Sequence, residues 1–208
     1  MRSILRFGIA VALSSGAAVA LAADDKKEKD KPAPLPVTAK LIAKKKSYQL
    51  DLGGKTPEEY RKAIEEAKKT FRYPAPPEVD LTLELTNTSD KDVAIWSSGD
   101  PVQVILELKG KGAMSVQPAI AMTREFRVPQ ALMLPAGKSH TIAIKSLKYG
   151  MRGITQQAYW TDAGEYTLTA RFMTGISPPP PDSKTVTEGF ARVTLITKPV
   201  KLKVELKR

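Results

Sequence analysis

After Val79 the chain alternates apolar and polar residues in short runs. Leu81, Leu83 and Leu85 alternate with Thr82, Glu84 and Thr86, and Asn87-Thr88-Ser89-Asp90-Lys91-Asp92 supplies a turn cluster. Val93–Trp96 follows, then Ser97-Ser98-Gly99-Asp100-Pro101, then the alternating Val102, Val104, Leu106 and Leu108. Lys109-Gly110-Lys111-Gly112 and Pro135-Ala136-Gly137-Lys138 mark further turns, the second lying between Ala131–Leu134 and Thr141–Ile144. Tyr166, Leu168, Ala170 and Phe172 share one strand face, as do Ala191, Val193 and Leu195. Val200, Leu202, Val204 and Leu206 alternate strictly with Lys201, Lys203, Glu205 and Lys207. A period of two buries one face of a strand, and Gly, Pro, Asn and Asp end it. Many short strands with regular turns predict an all-β antiparallel sandwich. The lysines of the last strand predict a protected sheet edge.

The N-terminal part reads differently. Val37–Ala43 and Tyr48–Leu52 are strand-like and end at Gly53-Gly54. Thr56 and Glu59 then have capping-box spacing and Pro57 sits at the first helical position, which predicts a helix over about 57–71. Tyr60, Ala63, Ile64, Ala67 and Phe71 fall on one face, and the Glu58–Lys62 and Glu65–Lys69 pairs support the wet face. A helix of about four turns does not stand alone in water, so this stripe is expected to pack on the sheets. Tyr73-Pro74-Ala75-Pro76-Pro77 ends the element.

Ahead of these lie Arg2 and Arg6, an uncharged run from Phe7 to Ala23, and Ala20-Leu21-Ala22 before Asp24. That order is the pattern of a secretory signal peptide, 1–23. Residues 24–36, with both charges and three prolines, predict a flexible linker, leaving 37–208 for the sandwich. No later stretch is apolar for long enough to span a bilayer. The expected location is therefore periplasmic or extracellular.

Composition narrows the chemistry. The 208 residues hold 33 Lys+Arg against 22 Asp+Glu, a single His and no Cys. Without Cys there is no disulfide, thiolate metal site or cysteine nucleophile. No cofactor is expected. Without residues 1–23 the balance is 31 cations to 22 acids, or +9. Such an excess keeps a surface soluble and also suits an acidic envelope polymer. No RNP-type aromatic motif, helix-turn-helix or zinc finger is present, so no nucleic-acid partner is expected.

Asp162-Ala163-Gly164-Glu165-Tyr166-Thr167-Leu168 resembles the stretch of immunoglobulin-type domains that leads into strand F. The resemblance implies that Tyr166 makes the corner hydrogen bond to upstream backbone. It puts Leu168 and Leu83 in the places of the two cysteines and Trp96 in that of the core Trp of strand C. Leu81–Thr88, Pro135-Ala136-Gly137-Lys138 and Gly164–Leu168 also resemble the bacterial proteinase-inhibitor domain called BsuPI-like, over roughly residues 79–206. That resemblance implies an Ig-like sandwich and, more weakly, protease inhibition.

Few residues carry candidate chemistry. His140 has no nucleophile elbow near it, and Asp100 and Asp162 lack the clustered oxygens of a Ca²⁺ site, so they read as turn caps. Glu84, Glu107 and Glu205 alternate onto wet faces rather than pairing as a glycosidase needs. No enzyme is expected. Trp96 and Trp160 sit at strand ends and are expected to pack in the core; candidate partner-binding residues are Arg124, Phe126 and Arg127 in the Ala121–Gln130 stretch, Tyr159-Trp160 should that pair be exposed instead, and the Pro178-Pro179-Pro180-Pro181 run, whose stiffness lowers the entropy cost of binding. The expected function is a non-enzymatic exported module of the cell envelope, binding another envelope protein or an acidic polymer through inter-strand loops. The alternative is an inhibitor of an extracytoplasmic protease.

Overall fold

A computed structural model describes residues 34–118, 126–151, 154–181, 183 and 186–207. The expected signal peptide and most of the linker lie outside them. The elements are β1 (Val37–Ala43), β2 (Ser47–Leu50), α1 (Pro57–Thr70), β3 (Glu78–Asn87), β4 (Val93–Ser98), β5 (Gln103–Gly110) and β6 (Ala113–Val116). They continue with β7 (Gln130–Leu134), β8 (Ser139–Ser146), β9 (Lys148–Met151), β10 (Ile154–Trp160), β11 (Gly164–Ser177), β12 (Val186–Thr187), β13 (Phe190–Ile196) and β14 (Val200–Leu206).

One sheet is antiparallel, in the order β1-β3-β8. It turns Leu81, Leu83 and Leu85 inward, all fully buried. The facing sheet is built on the 14-residue β11. One edge of β11 carries β13 against 171–176 and then β14 against 164–168. These two strands are one line broken at Thr197–Pro199. Thr197 bridges the break: its N–H donates to the Ala170 carbonyl, and its Oγ1 accepts from the Ala170 N–H, both at 3.0 Å. The other edge carries β4 and then β5, again a single line with a diversion between them. Within that diversion β4 turns its far side to β7.

β2 pairs parallel with β14. The first two strands, joined by Lys44–Lys46, therefore belong to opposite sheets. This arrangement is a β-sandwich, as the alternation predicted, and Ig-like, as the resemblance implies. The edge expected at β14 is not there, because β14 lies between β11 and β2. Its lysines are outward-facing residues on an internal strand. The short β2 supplies that edge instead.

Leu83 and Leu168 are both fully buried in one core cluster, on facing sheets, as the immunoglobulin resemblance implies. The Tyr166 hydroxyl donates to the Asp162 carbonyl at 2.8 Å, which is the expected corner bond. Trp96 departs from its assigned place. It is buried, but on the outer face of the larger sheet, stacked on Phe190 at 5.0 Å. Gly175 lies beneath it, where a Cβ would come within 2.4 Å of the indole. Its neighbour Ile95 takes the inward position. The aromatic core position belongs to Trp160, set between Tyr48 at 5.3 Å and Tyr166 at 6.2 Å.

At the end of the sandwich where β11 begins, β6, β10 and β9 form a small third sheet. α1 covers it: Ile64 packs with Val116 and Tyr159 in a satellite core. Thr56 caps the helix and the capping box is complete, with the Thr56 N–H donating to Glu59 Oε2 at 2.8 Å. The helix ends one residue before the predicted limit. Phe71 is the left-handed cap, φ 55°, and is 57% exposed instead of joining the stripe. At the opposite end of the sandwich, Asn87 is fully buried. Its amide donates to the Lys91 and Leu134 carbonyls at 2.8 and 2.9 Å, and its Oδ1 accepts from the Ser89 N–H at 3.0 Å. One side chain thus ties the β3–β4 turn to the end of β7.

Candidate functional site

The segment entering β7 is held in an unusual way. The Arg127 N–H donates to Asp100 Oδ2 at 2.9 Å, and the Asp100 N–H donates to the Arg127 carbonyl at 3.1 Å. This pins 126–129 to the turn between β4 and β5. Gly99 makes the approach possible, because a Cβ there would sit 2.6 Å from Pro129 Cα and φ is +104°. The reading of Asp100 as a turn-capping residue agrees with these bonds. The clamp presents Phe126, 67% exposed, and Val128, 73% exposed. Met133 on the adjacent β7 is 59% exposed. Among the described strands β7 pairs with β4 alone, so its other edge is open. Apolar side chains this exposed, on a fixed backbone beside an open edge, form the most partner-like patch of the described surface.

The remaining candidates separate. Arg124 lies outside the described residues. Arg127 is exposed, with its main chain engaged as described. Pro178, Pro179 and Pro181 are exposed at the end of β11, and Pro180 is half-buried. Ser183 closes a turn there, donating through its N–H at 3.3 Å and its Oγ at 2.6 Å to the Pro180 carbonyl. Tyr159 and Trp160 are not an exposed pair. They are 0% and 2% exposed, one under α1 and one between the main sheets. The Tyr159 hydroxyl donates to the Pro74 carbonyl at 2.7 Å, and burial pushes its ionisation well above the ordinary tyrosine value. Trp160 thus takes the core place expected of a strand-end tryptophan, and the exposed pair falls away because α1 and the small third sheet cover Tyr159. Val128 and Met133 escaped notice because isolated apolar residues in a loop and a five-residue strand carry no mark of exposure.

Among the described residues no group of three or more His, Cys, Asp and Glu is placed to hold a metal ion. His140 is half-buried on β8, opposite Leu85. Asp162 pairs with Lys111 at 3.4 Å. No helix among the described residues is long and apolar enough to cross a membrane.

The strand pairing makes the chain an Ig-like β-sandwich. No protein-family model matches it, and no curated protein matches its sequence. Solved structures give loose likenesses. Trypsin-activated alpha-2-macroglobulin from Escherichia coli aligns at 17% identity and TM-score 0.31, over 82% of this chain, and this chain spans 7% of that protein. A PapD-like domain of human CEP192 aligns at 14% identity and TM-score 0.25, over 86% of this chain and 94% of that one. The CooA pilin subunit of enterotoxigenic Escherichia coli aligns at 14% and 0.19, over 81% and 99%. At these scores the likenesses carry no functional argument. The fold assignment rests on the strand pairing.

Proposed function

We propose that this chain is an exported, non-enzymatic binding module of the cell envelope, and that it engages a protein partner through the Phe126–Pro129 segment and the neighbouring β7. The observation that carries this reading is the Asp100 clamp, which holds Phe126 and Val128 out in solvent on a fixed backbone. Pre-organisation of this kind lowers the ordering cost of association, and an exposed aromatic anchor suits the centre of an interface. Export is supported by the pattern of residues 1–23.

Protease inhibition is the second reading, favoured by the rigidity of the same segment. Arg127 fits it poorly as a residue read by a serine protease. Such an enzyme must take the scissile carbonyl into its oxyanion hole. Here both the N–H and the carbonyl of Arg127 are already bound to Asp100.

The test is a photo-crosslinking amino acid placed at Val128 in the full chain, expressed in growing cells. A discrete adduct is expected, and it should fade when Phe126→Ser is added. An adduct unaffected by Phe126→Ser, or none beyond that given by a probe at exposed Thr88, would refute the loop as the contact. Tight inhibition of a purified trypsin-like protease, lost on Arg127→Ala, would favour the second reading instead.

A further inference from the structure

The two main sheets are unequal. The smaller has three strands, and β8 is its outer one, pairing only with β3 among the described strands. Across from it, β5 pairs only with β11 among the described strands, because β7 extends the larger sheet beside β4 alone. The outer edges of β5 and β8 therefore both border the side of the sandwich, and β9, which lies against β5, closes one end between them. Between them lies a cleft of ≈ 380 Å³. Its floor is Leu106, Ile144 and Phe172, all buried core residues. Its walls include Val102, Val104 and Ile142, which pack against the core but stay half-exposed. A fourth strand beside β8 would cover these three. Its spacing of about 4.8 Å from β8 would bring its inward side chains over the floor.

The mouth has a sign. Lys145 and Lys148 line it and no Asp or Glu does. Lys145 is held by Asp80 at 2.6 Å, whereas Lys148 has no ion pair among the described residues. Without residues 1–23 the chain carries +9. An edge strand turns every second N–H and carbonyl outward as a template for another chain.

We propose that this lateral cleft is a strand-acceptor site. Its occupant is an extended segment of an acidic partner protein, which adds to the free edge of β8. Apolar residues at alternate positions cover Val104 and Ile142, and a flanking carboxylate meets Lys148. Main-chain bonds supply affinity in this mode, and the alternate side chains supply selectivity. The cleft borders the Ser97–Gly99 turn on which the Phe126–Pro129 segment is seated but includes none of residues 126–129, so either reading can fail alone.

The probe is a synthetic peptide, Glu-Val-Thr-Val-Thr-Val-Glu, added up to millimolar concentration to the isotope-labelled full exported chain. The expected result is slowed amide exchange at alternate residues of β8, with resonance shifts at Val104 and Ile142. Lys148→Glu should weaken binding several-fold, with the difference shrinking in high salt. Val104→Glu, at a half-exposed position, should abolish it while circular dichroism stays unchanged. Four outcomes overturn the proposal: no change at β8 at peptide saturation, equal binding of the same peptide with Lys for Glu, shifts confined to β7 and Phe126–Pro129, or β8 amides already protected in the peptide-free chain. The last would mean that a second copy or the chain itself fills the edge.

Discussion

Single side chains set the ends of this sandwich. Tyr166 closes one end with its hydroxyl on the Asp162 carbonyl. Removing that hydroxyl leaves the ring in the core and the carbonyl short of a donor. Tyr166→Phe is therefore expected to cost about 1 kcal/mol in urea unfolding; an unchanged midpoint would show the corner bond contributes nothing. Asn87 does more at the other end, because three main-chain groups depend on it within a buried site. Asn87→Leu orphans all three, so a loss of about 3 kcal/mol is expected from the desolvation of unpaired polar groups. The same melt measures it, and a loss below that of Tyr166→Phe would refute the clamp. Both residues could be singled out as turn residues in the sequence. Only Tyr166 had a motif around it, and the three partners of Asn87 are brought together by the fold.

Elements show where local pattern suffices and where it does not. The capping box, Pro57 and the Ile64 stripe define α1 almost to the residue, because each signal acts within one or two turns. Its docking site could not be read. Val116 and Tyr159, which meet Ile64, lie in strands about which the alternation says little. The helix belongs to a satellite core, so Ile64→Ala has a specific signature. It should cost about 2–5 kcal/mol as a fully buried truncation. In hydrogen exchange, α1 and β6 should lose protection before β3 and β11 do. Uniform loss across all strands would mean that the satellite and the main core unfold together. The last strand shows the limit of edge rules: alternating lysines mark an outward face, and outward faces occur on internal strands as well.

At the scale of the whole molecule the shifted tyrosines and the shifted carboxylates respond to opposite ends of the pH range. Tyr48, Tyr60, Tyr149, Tyr159 and Tyr166 are all pushed above the ordinary tyrosine value of 10.0, chiefly by burial. A raised value favours the neutral form in the folded state. The stability these rings contribute is complete below pH about 10 and is lost as pH rises through their folded values. Asp51, Glu59, Asp80 and Glu205 are held below their ordinary values, mainly by hydrogen bonds from Lys207, Thr56, Lys145 and Lys203 respectively; Asp51 and Glu59 are exposed, and Asp80 and Glu205 are half-exposed. Their contribution is present above the ordinary carboxylate range, falls away in acid, and is small because solvent screens it. The chain should therefore tolerate acid and unfold cooperatively in alkali, with tyrosinate absorbance at 295 nm rising together with the loss of circular dichroism. Tyrosinate appearing well before unfolding would mean the rings are not sealed.

What the sequence determined by itself is the β-sandwich class, the helix and its cap, the corner tyrosine and the absence of cysteine chemistry. Each depends on residues close together along the chain or on composition alone. Tertiary structure decided the rest. The burial of Tyr159, the outer-face place of Trp96, the internal position of β14 and the clamp of Arg127 on Asp100 all join residues distant in sequence. Periodicity tells which residues share a face. Which face is covered, and by what, depends on strand order, and strand order is fixed only when all the strands compete for the same edges.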